Sequence, residues 1–143
     1  MYCMVRPPQQ CDKSLLPHNK PLSFGNRPPI ILCIEDDRNY LLLRKSVLEA
    51  RGYHVIGATT PEDALRALRD NPVCLTISDH MLRGTTGTHL AARMKQVKPK
   101  VPIVLYSGTE PQTLANVDAF ISKDEPTEKF LSLIEGLLSR YLA

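Results

Sequence analysis

Four places in this 143-residue chain put chemistry-bearing side chains directly after short apolar runs. "IILCIEDD" ends in Glu35, Asp36 and Asp37; "VCLTISD" in Asp79; "VPIVLYSG" in Ser107 and Gly108; "AFISK" in Lys123. The set is carboxylates, one hydroxyl and one ammonium, with no His or Cys required. Clustered carboxylates repel one another, so such a group waits for a cation. Mg²⁺ is the hard cation that takes one or two protein carboxylates and completes its shell with water and phosphate. Asp36 and Asp79 suit direct ligation, and Glu35 suits ligation through water. A carboxylate can also attack phosphorus and become an aspartyl phosphate. A lysine and a hydroxyl are then the groups that hold the transferring oxygens.

For those residues to meet, the apolar runs must be neighbouring strands. Ile30–Ile34, Tyr53–Ala58, Val73–Ser78, Val101–Tyr106 and Ala119–Ser122 have strand length and strand composition. Between them lie helical patterns. Arg38–Arg51 places Tyr40, Leu43 and Val47 on one stripe and stops at Gly52. Thr60 followed by Pro61 reads as an N-cap and first helical position, opening a helix to Asp70 that buries Leu65 and Leu68. Thr88–Val97 turns Leu90, Met94 and Val97 inward. Pro126 opens a last helix with Phe130, Ile134, Leu137, Leu138 and Tyr141 on one stripe. Strand and helix alternate, and the early strands are apolar on both faces. That pattern predicts a doubly wound α/β domain with a parallel sheet covered on both sides. Ligands of such folds sit beyond the carboxyl ends of the strands, where the winding reverses.

Composition narrows the partners. Residues 1–28 hold Arg6, Lys13, Lys20 and Arg27 against Asp12, which accounts for the whole formal charge of +3. The rest balances to zero and makes no electrostatic case for nucleic acid. Half of the prolines also fall in that first segment or at Pro29, so 1–28 reads as a Pro-rich, basic, disordered extension and 29–143 as one domain. Apolar runs are far shorter than the roughly twenty residues of a membrane helix, and no secretory signal is present. Cys33 and Cys74 sit in apolar runs and read as buried thiols, which fits a reducing cytoplasm. His80 and His89 read as a loop residue and an exposed helix residue, since this chemistry needs no protein base.

The motifs "IEDD", "ISDHMLRGTTG", "VLYSG" and "FISK", in this order, resemble the receiver domain of two-component response regulators over residues 30–142. The resemblance implies a flavodoxin-like, CheY-like fold with five parallel strands in the order 2-1-3-4-5. It implies Asp79 as phosphoacceptor, and Asp36 with Asp79 as Mg²⁺ ligands. Glu35 acts on the metal through water and Met81 through its backbone carbonyl. Ser107 corresponds to the switch hydroxyl, with Gly108 beside it. Lys123 corresponds to the phosphate-binding lysine, Phe120 to the aromatic switch residue and Gly87 to the glycine of the loop after the phosphoacceptor. Asp37 would face outward. The implied role is that of a cytoplasmic, bacterial phosphorelay protein. A histidine kinase or phosphotransfer protein donates phosphate, an unidentified output protein reads the result, and no separate substrate is turned over.

The chain departs from the family pattern in three ways. Asp124 follows Lys123 where the family has proline, commonly cis, so this loop should differ. The stretch from Ser107 to Lys123 is short, which predicts a short or irregular fourth helix and an altered output surface. The chain ends at Ala143, soon after the last helix, which leads to the expectation of a single-domain regulator. The rival reading is a phosphate-independent interaction module on the same fold. A Mg²⁺-dependent phosphatase is disfavoured because its nucleophile follows the first strand. A flavin-binding domain is disfavoured because acidic strand ends repel a flavin phosphate.

Overall fold

The computed structural model describes residues 28–142, with side chains to Arg140. The extension and the stripe position Tyr141 therefore lie outside the described residues or side chains. Five strands form one parallel sheet: β1 (Ile30–Ile34), β2 (His54–Ala58), β3 (Leu75–Ser78), β6 (Ile103–Ser107) and β7 (Ala119–Ser122). Their order is β2-β1-β3-β6-β7, the expected topology. A two-stranded hairpin, β4 (Met81–Leu82) with β5 (Thr85–Thr86), follows β3. Its turn is made by Arg83 and Gly84, and Gly84 takes φ 77°, a conformation that glycine adopts without strain.

Four helices cover the sheet: α1 (Arg38–Glu49), α2 (Pro61–Asp70), α3 (Gly87–Val97) and α4 (Thr127–Leu142). Alternate residues of β1 serve opposite faces. Ile31 and Cys33 join Leu41 and Leu48 of α1 with Phe130, Ile134, Leu137 and Leu138 of α4. Leu32 and Ile34 join Ala64 and Leu68 of α2 with Leu90, Ala91 and Met94 of α3. Burial on both faces is why β1 carries no polar residue. Thr60 caps α2 as expected, its hydroxyl accepting from the Asp63 amide at 3.1 Å.

Two expectations are corrected. The inward stripe of α1 is Leu41, Arg44 and Leu48, whereas Tyr40 and Leu43 are 58% and 62% exposed. Both triplets have helical spacing, and a charged Arg44 disguised the true one. Cys74 is disulfide-bonded and not a free thiol. It stands just ahead of β3, at the sheet's amino edge, and not inside the strand. Cys33 is the buried free thiol expected. His80 lies in the loop between β3 and β4, as expected, and is buried there.

The crossover from β6 to β7, residues 108–118, contains no helix. Of the two expected forms, short or irregular, it is the irregular one. It turns at Asn116, φ 66°. Lys95 of α3 anchors its end: Nζ donates to Asp118 at 2.9 Å, and the same carboxylate accepts from the Ile103 amide at 2.8 Å. Among the described residues no helix is long and apolar enough to cross a membrane.

Candidate phosphorylation site

The winding reverses between β1 and β3, and register does the rest. Ile34 pairs with Ser78, so Glu35 and Asp79 each stand one residue beyond adjacent strand ends. Backbone bonds hold them there. The Glu35 amide donates to Ala58 of β2, and the Asp79 amide donates to Ile34 of β1, both at 3.1 Å. Ser107 pairs with Ser122 on the other side of the sheet, and the Lys123 amide donates back to Ser107 at 2.9 Å. Residues up to 88 positions apart thus share one carboxyl edge.

The side chains meet as the residue types require. Lys123 Nζ donates to Asp79 Oδ2 at 2.9 Å and to Glu35 Oε1 at 3.2 Å. Among the described residues no peptide is cis, so Lys123 reaches the acids through a trans bond to Asp124. Asp79 Oδ1 accepts from the His80 amide at 2.6 Å and from the Met81 amide at 3.4 Å. Burial alone would raise the Asp79 pKa. The hydrogen bond and charge of Lys123, helped by Ser107, outweigh it and hold the carboxyl below its ordinary value. Glu35 is 2% exposed, and there burial wins: its pKa is raised, only partly offset by Lys123. Lys123 thus holds the Asp79 carboxyl down, while burial holds that of Glu35 up.

The other expected residues fall as follows. Asp36 is half-buried at the rim, its Oδ2 accepting from the Arg83 amide at 3.1 Å. Asp37 faces solvent and caps α1, accepting from the Asn39 and Tyr40 amides at 2.9 and 3.2 Å. Ser107 is buried, its hydroxyl oxygen accepting from the Thr109 amide at 3.1 Å. Gly108 is exposed, with open space where a Cβ would stand. Phe120 is half-buried on β7, in register with Leu105. Met81 is exposed beside the acids. Gly87 opens α3 where a Cβ would collide with the Asp79 carbonyl and the Leu105 side chain.

Three residues that sequence reading missed also belong here. Arg44 reaches Glu35 Oε1 at 3.2 Å from the buried face of α1. Tyr40 places its ring 5.6 Å from Lys123 Nζ. Arg83 closes over Asp36. Only Arg44 left a readable signal, a charge inside an apolar stripe.

Among the described residues no three His, Cys, Asp or Glu side chains are gathered to hold a metal ion by themselves. Two carboxylates, Asp36 and Asp79, with a backbone carbonyl are nevertheless the hard-oxygen set that Mg²⁺ takes alongside water and phosphate. The donor chemistry fits, with Glu35 beside Asp79 and sharing the Lys123 ammonium with it.

Comparison with known proteins agrees. The model of the response regulator receiver domain matches residues 31–135. The transcriptional regulatory protein GlrR of Escherichia coli (strain K12) is 27% identical over 123 residues, 82% of this chain. The chain spans 28% of that relative's length. The response regulator receiver protein CpdR of Brucella abortus is 30% identical over 78 residues, 54% of this chain and 65% of that protein. A CheY-like receiver domain protein from Methanospirillum hungatei JF-1 superposes with a TM-score of 0.72 at 26% identity, covering 79% of this chain and 95% of that one. TrrA of Thermotoga maritima, solved with Mg²⁺-BeF, superposes at 0.71 with 22% identity, covering 76% and 98%. A match over most of the chain and a sheet wound in the receiver order lead to one conclusion: the chain belongs to the response regulator receiver domain family.

Proposed function

We propose that this receiver domain takes a phosphoryl group on Asp79 from the phosphohistidine of a histidine kinase or phosphotransfer protein, in a phosphorelay. The observation that carries the reading is the Lys123 ammonium held between Asp79 and Glu35. It keeps Asp79 ionised and stands where charge develops on the transferring oxygens. An Asp79 oxygen forms the new O–P bond as the donor's N–P bond breaks. The electron pair stays on the donor nitrogen, which then takes a proton from water. Lys123 moves from the free carboxylate to the bound phosphoryl oxygens, and the Ser107 hydroxyl donates to one of them.

Asp36, Asp79 and the Met81 carbonyl, with Glu35 acting through water, would hold Mg²⁺, which supplies positive charge to the transferring phosphoryl oxygens. TrrA, of the same fold, was solved with Mg²⁺ and a beryllium fluoride, and that supports the assignment. Drawing Ser107 inward frees space for Phe120, which biases a two-state equilibrium on the β6–β7 side. The helix-free crossover gives that side its own shape, to be read by an output partner. No separate substrate is turned over.

The test is incubation with a small acyl phosphate and Mg²⁺, followed by intact mass. The wild type should gain about 80 Da, the mass of HPO₃, and Asp79→Asn should gain none. A wild type that stays unlabelled while folded supports the phosphate-independent interaction module instead.

A further inference from the structure

Arg44 is 7% exposed on the core side of α1. One face of its guanidinium lies over Tyr106, with Cζ 4.9 Å from the ring centroid. Tyr106 in turn stacks on Phe130 of α4, centroids 4.1 Å apart and planes 15° from parallel. Arginine does not give up its proton in a protein, so a full positive charge is permanently buried there. An unpaired buried charge is strongly unfavourable. Its counter-ion is Glu35 Oε1 at 3.2 Å, the same oxygen that accepts from Lys123.

We infer that Arg44 is a positioning residue of the phosphorylation site, a resident cation that fixes Glu35 and sets the site's charge. The inference rests on Asp79 being the phosphoacceptor. Its physical content is charge balance. Within the pocket Glu35, Asp36 and Asp79 carry three negative charges and Lys123 and Arg44 two positive ones; Arg83, 3.7 Å from Asp36 at the rim, is 88% exposed and screened by water. One net negative charge remains to attract a divalent cation. A phosphoryl group changes Asp79 from one negative charge to about two. With a divalent cation and the phosphoryl group both bound, the total is then zero. Without Arg44 the loaded site would carry an excess negative charge in a largely buried pocket. Lys123 can swing from Glu35 to the phosphoryl oxygens because Arg44 stays behind on Glu35. Tyr106 and Phe130 hold the guanidinium in place during that exchange.

The charge argument gives opposite signs for cation and anion, which loss of packing would not. The experiment compares wild type, Arg44→Leu and Arg44→Lys by calorimetric titration with Mg²⁺ alone, then with beryllofluoride in saturating Mg²⁺. Thermal melts accompany each. Arg44→Leu should bind Mg²⁺ about tenfold more tightly and beryllofluoride about threefold more weakly, as removal of one nearby unit charge requires. Arg44→Lys should return both toward wild type. Both affinities falling together with melting temperature, or neither moving, overturns the role of Arg44 alone. A wild type that binds neither probe overturns the phosphoacceptor reading and this inference with it. If Arg44→Leu does not fold, Arg44→Lys and Arg44→Gln carry the same comparison, with Gln expected to show the crossed signs.

Discussion

Lys123 Nζ and Asp79 Oδ2 lie 2.9 Å apart across 44 positions of sequence. Each projects from the residue just past the end of its strand, β7 and β3. The pair holds Asp79 in its ionised form against the pull of burial, and it sets the expected behaviour of variants.

Removing the ammonium should cost transfer more than binding. Lys123→Ala takes away the group that meets charge on the transferring oxygens. The rate of labelling by an acyl phosphate should fall about a hundredfold, the usual effect of losing one such donor. Mg²⁺ should bind at least as well, since a competing cation has gone. Stopped-time mass spectrometry and calorimetry read the two. Loss of Mg²⁺ binding with the labelling rate intact would contradict the assignment.

Asp37 is the acid that serves the helix and not the site. Asp37→Ala removes two hydrogen bonds to the first turn of α1. It should cost about 1 kcal/mol in a denaturant melt and leave Mg²⁺ affinity within twofold. Asp36→Ala should do the reverse.

Gly87 is a steric requirement. A Cβ there would lie 2.7 Å from Leu105 Cδ2, 3.0 Å from His80 Cα and against the Asp79 carbonyl oxygen. Two of those atoms are backbone, of Asp79 and His80, and cannot yield cheaply. Gly87→Ala should destabilise the fold by about 1–3 kcal/mol and slow labelling. Gly136→Ala, with open space around its added Cβ, serves as the control and should not destabilise.

Alkaline stability follows from two buried groups. Burial, chiefly, pushes the Cys33 thiol to about 12 and the Tyr53 hydroxyl to about 12. Both pKa values are raised in the fold, so the folded state holds its protons after the unfolded state has lost them. Stability is therefore complete below the ordinary values of 9.0 and 10.0 and is lost as pH rises from there toward 12. Urea melts between pH 8 and pH 11 should show that slope. Tyr53→Phe should flatten it above about pH 10.

The helix-strand alternation and the residues that end β1, β3, β6 and β7 were legible because each depends on local pattern; the sheet order was implied by the family resemblance alone. A strand buried on both faces must be apolar throughout, and its first polar residue marks the edge. The inward face of α1 was not legible, because Arg44 is stabilised by a contact nine residues back at Glu35 and by rings on β6 and α4. The short crossover at residues 108–118 announced a short or irregular fourth helix, but chain length, which allowed a turn or two, did not say which. Tyr40 and Arg83 join the site only through folded proximity, which spacing does not encode.

The central claim is that Asp79 is the phosphorylated atom's owner. Reduction of the acyl phosphate with borohydride after labelling converts an aspartyl phosphate to homoserine and marks the residue permanently. Peptide mapping should then find homoserine at position 79 of the wild type, dependent on Mg²⁺, and at no other position. Homoserine at position 36, 2-amino-5-hydroxypentanoic acid at position 35, or a stable phosphate on a serine, would contradict it.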